Sequence, residues 1–175
     1  MATEEHMTPD LITIDPGMAI SGWAAFRDSQ LMVCGSIRAP ASLRQQPDFR
    51  RRSWMVSKLL EQPEVAGARI TARHGRAVFV VEGTGKAGVF KGRSPVGMKS
   101  ADATVGALLD RLRDVDRIEV HPRNSWAGGR SNSRVRMEMR MFTGNPKLSI
   151  DASDAVGLGL WWIGQEKLRK AALNV

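Results

Sequence analysis

The segment LITIDPGMAISGWA, residues 11–24, determines how the rest of this chain is interpreted. Leu11 to Ile14 is a short apolar and largely β-branched run, and it stops at Asp-Pro-Gly, residues 15–17. Such a run followed by these turn residues is typical of a buried strand that ends in a tight turn. The segment therefore predicts a first strand whose last residue is an acid, Asp15.

Two further strands are predicted directly downstream. Gly22 to Phe26 is the first of them, Arg27 to Ser29 forms a polar turn, and Leu31 to Ile37 becomes apolar again. Short apolar runs separated by polar turns are typical of consecutive antiparallel strands. The first forty residues are therefore expected to form a three-stranded meander.

The later segments alternate between helical and strand patterns. Helical spacing of apolar residues begins at Asp48, is interrupted by Gly67 and Gly75, and returns later in the chain. The later predicted elements are a strand at Ala77 to Val81, a helix at Ala101 to Val115, a strand at Ile118 to His121, a helix at Arg134 to Phe142 and a helix at Ala152 to Ala172. Met137 and Met141 are expected to face inward. This order predicts an α/β fold, a mixed five-stranded sheet with helices on both faces.

Length and charge narrow the class of protein. The 175 residues are enough for one domain, which we place at residues 11–175 after a flexible N-terminal extension at residues 1–10. The formal charge of +8 favours a polyanionic partner such as nucleic acid. One cysteine, Cys34, and no secretory or membrane-spanning pattern predict a cytoplasmic protein without membrane contact.

Four acids stand where core elements end or begin. Asp15 and Glu82 end two predicted strands, and Asp151 and Asp154 lie three residues apart at the start of the last helix. If the strands are neighbours, these carboxylates converge, and they must then take up protons or bind cations. Oxygen ligands select Mg²⁺ or Mn²⁺, and two such ions about 3.5–4 Å apart can hydrolyse a phosphodiester. The pattern favours a nuclease.

Each acid also has a purely structural interpretation. The residues after the first strand could be only a turn, and Glu82 could be a solvated strand end. Asp151 could be the N-cap of the last helix, with Asp154 complementing the helix dipole. Capping and metal binding are compatible. The joint placement of all four acids beside basic loops favours the metal site.

The motifs resemble those of the RuvC-type Holliday junction resolvases of the RNase H-like superfamily. Residues 11–24, Val80-Val81-Glu82 and the segment DASDA, residues 151–155, carry the resemblance, which runs from Leu11 to Ile163. It implies an RNase H-like fold and a homodimer that nicks four-way DNA junctions symmetrically, leaving 5′-phosphates, in recombination and repair. It further implies that the four acids are catalytic and hold two Mg²⁺ ions per site, for which Mn²⁺ can substitute.

Two basic loops, predicted at Thr84 to Lys99 and at Arg123 to Ser133, are the expected DNA contacts. In the family, the loop after the glutamate strand carries an aromatic wedge, for which Phe90 is the candidate. The predicted DNA-binding residues are Lys86, Phe90, Lys91, Arg93, Lys99, Arg123, Arg130, Arg134 and Arg136. Arg134 stands where the family has one lysine, whereas Trp126 stands where another is expected. Because tryptophan cannot supply a positive charge, Arg123 or Arg130 would have to replace it.

Several alternatives stay open. The chain could cut flaps and forks more broadly, or bind junctions without cutting them. Actin-like kinases share the superfold, but they need two such domains. His121 could be a base or a metal ligand. Ala101 to Val115 is a candidate dimer face through Gly106, Ala107 and Leu108, and the divergent motifs suggest a branch that could be viral and act in the host cytoplasm, or otherwise at the nucleoid.

Overall fold

The computed structural model of the chain describes residues 8–83 and 95–173, with side chains from residue 103 onward in the second range. The strands are β1 (Leu11–Asp15), β2 (Ile20–Arg27), β3 (Gln30–Arg38), β4 (Val78–Gly83) and β5 (Ile118–Pro122). The helices are α1 (Asp48–Leu60), α2 (Pro63–Ala72), α3 (Pro95–Arg111), α4 (Arg123–Ala127), α5 (Asn132–Thr143) and α6 (Ile150–Leu173). A 3-10 turn covers Ala41–Leu43.

The strands form one mixed sheet in the order β3-β2-β1-β4-β5. The first three strands are antiparallel neighbours, which confirms the predicted meander. β4 lies parallel to β1, and β5 lies parallel to β4. The predicted five-stranded α/β fold is therefore confirmed, with β1 at the centre of the sheet.

Alternate residues of the central strands face two separate hydrophobic clusters. Ile12 and Ile14 of β1 pack with side chains of α1, α2 and α3, whereas Leu11 packs with α4, α5 and α6. The hydroxyl of Thr13 also points to the second side, where it donates to the backbone oxygen of Ala155 in α6 at 2.7 Å. Successive side chains of a strand point to opposite faces. Asp15 consequently shares the α6 face with Leu11 and Thr13.

Glycine allows α6 to lie very close to the sheet. A β-carbon at Gly22 in β2 would overlap the backbone carbonyl of Asp151, and one at Gly159 in α6 would overlap the ring of Phe26. Both glycines are therefore required by close approach. The contact at Gly22 sets the distance between the first turn of α6 and the ends of β1 and β2.

Two predictions about helices were wrong. Gly67 does not interrupt the chain but lies within α2, where burial of Val65, Ala68 and Ala72 outweighs the roughly 1 kcal/mol that glycine costs in a helix. The segment starting at Arg123 was expected to be a loop, but it forms the short helix α4, which buries Trp126. In both cases tertiary packing decides the local structure.

The predicted orientation of α5 was also wrong. Met137 is 57% exposed and Met141 is 77% exposed, whereas Val135 and Met139 are buried against α6. Methionines at alternate positions are compatible with two opposite helix faces, and Val135 sets the phase. The outer face of α5 therefore carries methionine and arginine side chains.

The interpretation of α3 as a dimer face needs correction at one residue. Leu108 is fully buried in the cluster formed with α1 and α2 of the same chain. It therefore cannot contact a second copy. Among the described residues, no helix combines the length and the apolar character needed to cross a bilayer.

A matched pair of glycines in α6 tests the close packing of this helix. Gly159→Ala should lower the free energy of unfolding by about 1–3 kcal/mol, because the methyl group meets the Phe26 ring. Gly164→Ala should leave it unchanged or raise it by about 0.5–1 kcal/mol, because the described residues leave open space there. Urea unfolding measures both variants, and equal effects would contradict the packing described.

Candidate active site

The pairing of β1 with β4 brings two acids to the same edge of the sheet. Ile14 is the register partner of Val81, so the next step along both strands sets Asp15 beside Glu82. Val80 belongs to the α6 face, and Glu82 follows it by two residues on the same strand. Both carboxylates therefore lie on the side of the sheet that α6 covers.

A side-chain clamp holds the turn that follows Asp15. The hydroxyl of Ser21 accepts from the backbone N–H of Gly17 at 3.0 Å and donates to the carbonyl of Gly17 at 2.9 Å. A β-carbon at Gly17 would overlap the backbone oxygen of Ile20, so the turn needs glycine here. The clamp fixes the chain directly after the acid.

The N-cap of α6 is Ser149, which answers the capping alternative for Asp151. Ser149 accepts from the backbone N–H of Ala152 at 3.1 Å through its hydroxyl. A residue that accepts from the N–H three positions later is the N-cap. Asp151 lies within the first turn of the helix, and its backbone packs over Gly22, the register partner of Asp15.

Arg123 and Trp126 of α4 contact two of the four acids. Arg123 forms an ion pair with Asp154 through Nη1 and Oδ2, and the same Nη1 lies 3.9 Å from Oε2 of Glu82. The indole N–H of Trp126 donates to Oε2 of Glu82 at 2.9 Å. The guanidinium carbon of Arg123 is 5.0 Å from the centre of the Trp126 ring, within the range of a cation–π contact. The two residues thus link Glu82 with Asp154.

Burial and mutual repulsion raise the pKa of three of these carboxyls. The pKa of Asp15 lies well above its usual value, first through burial and then through the charges of Glu82, Asp154 and Asp151. Burial raises the pKa of Glu82 to about 7, although Arg123 and the Trp126 hydrogen bond oppose the shift. Burial also raises the pKa of Asp154 against the opposing effect of Arg123. The group therefore carries more negative charge than its surroundings readily stabilise.

The donor atoms suit a hard cation, but the carboxylates are not gathered as ligands. Oδ1 of Asp154 and Nη2 of Arg123 are both buried without a hydrogen-bond partner. Carboxylate oxygens are the ligands that Mg²⁺ and Mn²⁺ prefer. Among the described side chains, no three of His, Cys, Asp or Glu already surround one point as metal ligands would. The positive charge that balances Asp154 comes from Arg123.

Comparison with solved structures identifies the fold. No protein-family model and no curated protein matches the chain. A structure described as T. thermophilus RuvC in complex with Holliday junction substrate superimposes with a TM-score of 0.62 at 15% identity, covering 90% of this chain and 94% of that chain. A second, described as Thermus thermophilus RuvC structure, gives 0.55 at 14% identity, with 90% and 95% covered. The chain has a RuvC-like fold.

In this structure, the predicted DNA-binding residues other than Arg123 fall into three groups. Lys86, Phe90, Lys91 and Arg93 lie outside the described residues. Lys99 was predicted at the end of the first basic loop but lies instead in α3, and its side chain is not described. Arg130 and Arg134 both pair with Glu138, at 2.7 and 3.0 Å. Arg136 lines an open groove with Met137 and Arg140 on the outer face of α5. Among the predicted arginines whose side chains are described, Arg123 is the one that contacts members of the four-acid group.

His121 lies next to Glu82 but is engaged elsewhere. The two residues are register partners on β5 and β4. Nε2 of His121 contacts Oε2 of Glu119 at 2.9 Å, and the ring meets Trp161 edge-on with centroids 4.9 Å apart. These contacts hold the imidazole in a second polar cluster rather than against the four acids.

Sequence reasoning missed Ser149 and undervalued Trp126. Ser149 precedes the final helix and was available as an N-cap signal, since serine is a preferred N-cap residue. The sequence shows Trp126 where a lysine is expected and leaves open whether it takes part in catalysis, but it does not predict the hydrogen bond to Glu82. This hydrogen bond depends on the helical form of residues 123–127, which the glycine-rich sequence after Trp126 did not indicate.

The raised pKa of Glu82 predicts how stability depends on pH. A carboxyl with a folded pKa of about 7 and an unfolded pKa of 4.5 favours folding below pH 4.5, and this contribution is lost as pH rises towards 7. In EDTA, Glu82→Gln should reduce the loss of unfolding free energy between pH 5 and 8 by about 1–3 kcal/mol. Chemical denaturation at both pH values measures this difference. An unchanged pH dependence would contradict the assignment.

Proposed function

We propose that this chain is a metal-dependent endonuclease that resolves four-way DNA junctions by paired, symmetric nicks. The observation that carries the proposal is geometric: the β1–β4 pairing sets Asp15 beside Glu82 at one edge of a RuvC-like sheet, and Arg123 reaches both Glu82 and Asp154 there. Asp151 adds its charge to the same group. Buried carboxylates that repel one another favour divalent cations.

The four acids would hold the metal. We assign Asp15, Glu82, Asp151 and Asp154 as ligands of two Mg²⁺ ions per site, for which Mn²⁺ would substitute. When bound, such ions activate water and neutralise charge on the departing oxygen of a phosphodiester. The product would carry a 5′-phosphate. The buried Oδ1 of Asp154, which lacks a hydrogen-bond partner, supports this assignment.

Arg123 is our candidate for the residue that positions the scissile phosphate. Its guanidinium lies beside Glu82 and Asp154, and its Nη2 has no hydrogen-bond partner. An arginine can bind two phosphate oxygens through a planar pair of N–H groups, which lysine cannot do. Arg130 would act indirectly, because its guanidinium donates to the carbonyls of Ala127 and Trp126 and supports α4.

The remaining basic residues would bind the arms of the junction. The charge of +8 supports a polyanionic substrate. We assign phosphate contacts to Lys86, Lys91, Arg93, Lys99, Arg134 and Arg136, and a wedge at the branch point to Phe90. Two nicks placed symmetrically require two active sites, so we propose a homodimer that acts in recombination and repair, in the cytoplasm at the nucleoid or, if viral, in the host cytoplasm.

The substitution Asp15→Asn tests the catalytic proposal. Asp15→Asn should reduce Mg²⁺-dependent nicking of a synthetic four-way junction by at least a hundredfold, since removal of a ligand charge disables the metal site. Junction affinity should stay equal or increase, because one negative charge facing phosphate is lost. Single-turnover cleavage and gel-shift titration measure the two properties.

Asp28→Asn is the matched control, because Asp28 lies in the exposed β2–β3 turn, at the other end of β1. It should cut as the wild type does. Wild-type binding without any cutting in Mg²⁺ or Mn²⁺ would favour the non-cleaving alternative. Equal cutting of flaps, forks and junctions would favour the broader nuclease.

Arg136→Gln tests the surface of α5. This variant should weaken junction binding, most at low salt, and lower the slope of log K against log salt by about 1. Cleavage at saturating protein should be unchanged, because Arg136 lies on the outer groove and not among the acids. Arg76→Gln is the control, since Arg76 is exposed just before β4, at the opposite end of that strand from Glu82. Equal losses in both variants would contradict a DNA contact specific to α5.

A further inference from the structure

We infer that Trp126 is a positioning residue of the candidate metal site, where its indole N–H holds one oxygen of Glu82 and so orients the carboxylate for a divalent cation. This inference rests on the proposed function. It assigns a role to the residue that stands where a lysine was expected.

The hydrogen bond supports such a role because it is largely shielded from solvent. Nε1 of Trp126 donates to Oε2 of Glu82 at 2.9 Å, Trp126 is 2% exposed, and the side chain of Glu82 is 14% exposed. An indole can only donate, so its partner must present an oxygen. In a poorly solvated place the loss of such a bond leaves the carboxylate without a fixed orientation.

The surroundings of Trp126 are shaped to hold its ring. A β-carbon at Gly157 of α6 would lie 2.8 Å from Cζ3 of the indole, so glycine at that position makes room for it. The guanidinium of Arg130 donates to the backbone oxygen of Trp126 at 3.1 Å, and that of Arg123 lies over the ring. The indole is therefore held by α6, by the backbone contact within α4 and by the guanidinium of Arg123.

Partners that orient metal-binding carboxylates and imidazoles contribute strongly to metal affinity. Their removal typically costs about 10–100-fold in affinity or activity. Trp126 contacts Glu82 through one oxygen, which leaves Oε1 as the oxygen that the indole does not hold. Trp126 would thus set the orientation of the ligand without touching metal or substrate.

The chain contains a matched control in Trp162. Its indole N–H donates to Oε2 of Glu119 at 3.1 Å, and Trp162 is 9% exposed. Glu119 also accepts from Arg117 and contacts His121, so it belongs to the second polar cluster and not to the four acids. A phenylalanine at either position keeps one aromatic ring and removes the N–H donor together with part of the ring volume, so the Trp162 variant controls for the lost volume.

Calorimetric titration of the full chain with Mn²⁺ in the absence of DNA tests the inference. Trp126→Phe should weaken Mn²⁺ binding about 10–100-fold, whereas Trp162→Phe should stay within about twofold of the wild type. Thermal melting in EDTA checks that both variants fold. An unchanged Mn²⁺ affinity in Trp126→Phe would overturn the inference, and so would an equal loss in both variants.

A double-mutant cycle with Glu82→Gln gives a second, independent measurement. If Trp126 acts through Glu82, adding Trp126→Phe to Glu82→Gln should cause no further loss of Mn²⁺ affinity. Additive losses would overturn the inference. A wild-type chain that binds no Mn²⁺ would instead reject the proposed metal site, whereas wild-type binding with additive losses rejects only the role of Trp126.

Discussion

The crowding of carboxylates at the end of β1 is the constraint on which the rest of the structure depends. Asp15 is surrounded by the charges of Glu82, Asp151 and Asp154, and burial strengthens their repulsion. Arg123 offsets part of this charge through Asp154 and, at longer range, Glu82. Such a group weakens the folded chain at neutral pH, so it is tolerable only if stable packing elsewhere holds it together.

That packing comes from small residues and backbone contacts rather than from the acids themselves. Glycine at position 22 lets the first turn of α6 lie on β2, and glycine at position 159 lets the same helix lie on Phe26. Ser149 caps α6, and Ser21 clamps the turn after Asp15. The carboxylates of Asp151 and Asp15 therefore do not have to satisfy these backbone groups. The apolar faces of the strands supply the free energy that offsets the buried charge.

The fold could be predicted from the sequence because its signals are local. The run of residues 11–14 with its Asp-Pro-Gly end, and the alternation of faces along β1 and β4, depend only on neighbouring residues. The orientation of α5 could not be predicted, because methionines at positions 137, 139 and 141 suit either face until Val135 meets α6. The contacts of Arg123 with Asp154 and of Trp126 with Glu82 also escaped, since both depend on a short helix in which Trp126 is buried against Gly157.

The position of Arg123 links the charge balance of the fold to the proposed chemistry. One guanidinium cannot fully neutralise Asp154 and bind a phosphate through the same nitrogen, and its Nη1 is already engaged by Asp154. If divalent cations bind the acids, they remove the need for that ion pair, and both terminal nitrogens become available to a phosphate. The residue that stabilises the acids without metal would then be the one that meets the DNA once metal is bound. Trp126 lies beneath the guanidinium of Arg123 and donates a hydrogen bond to Glu82. It therefore contacts both the arginine and one of the four acids.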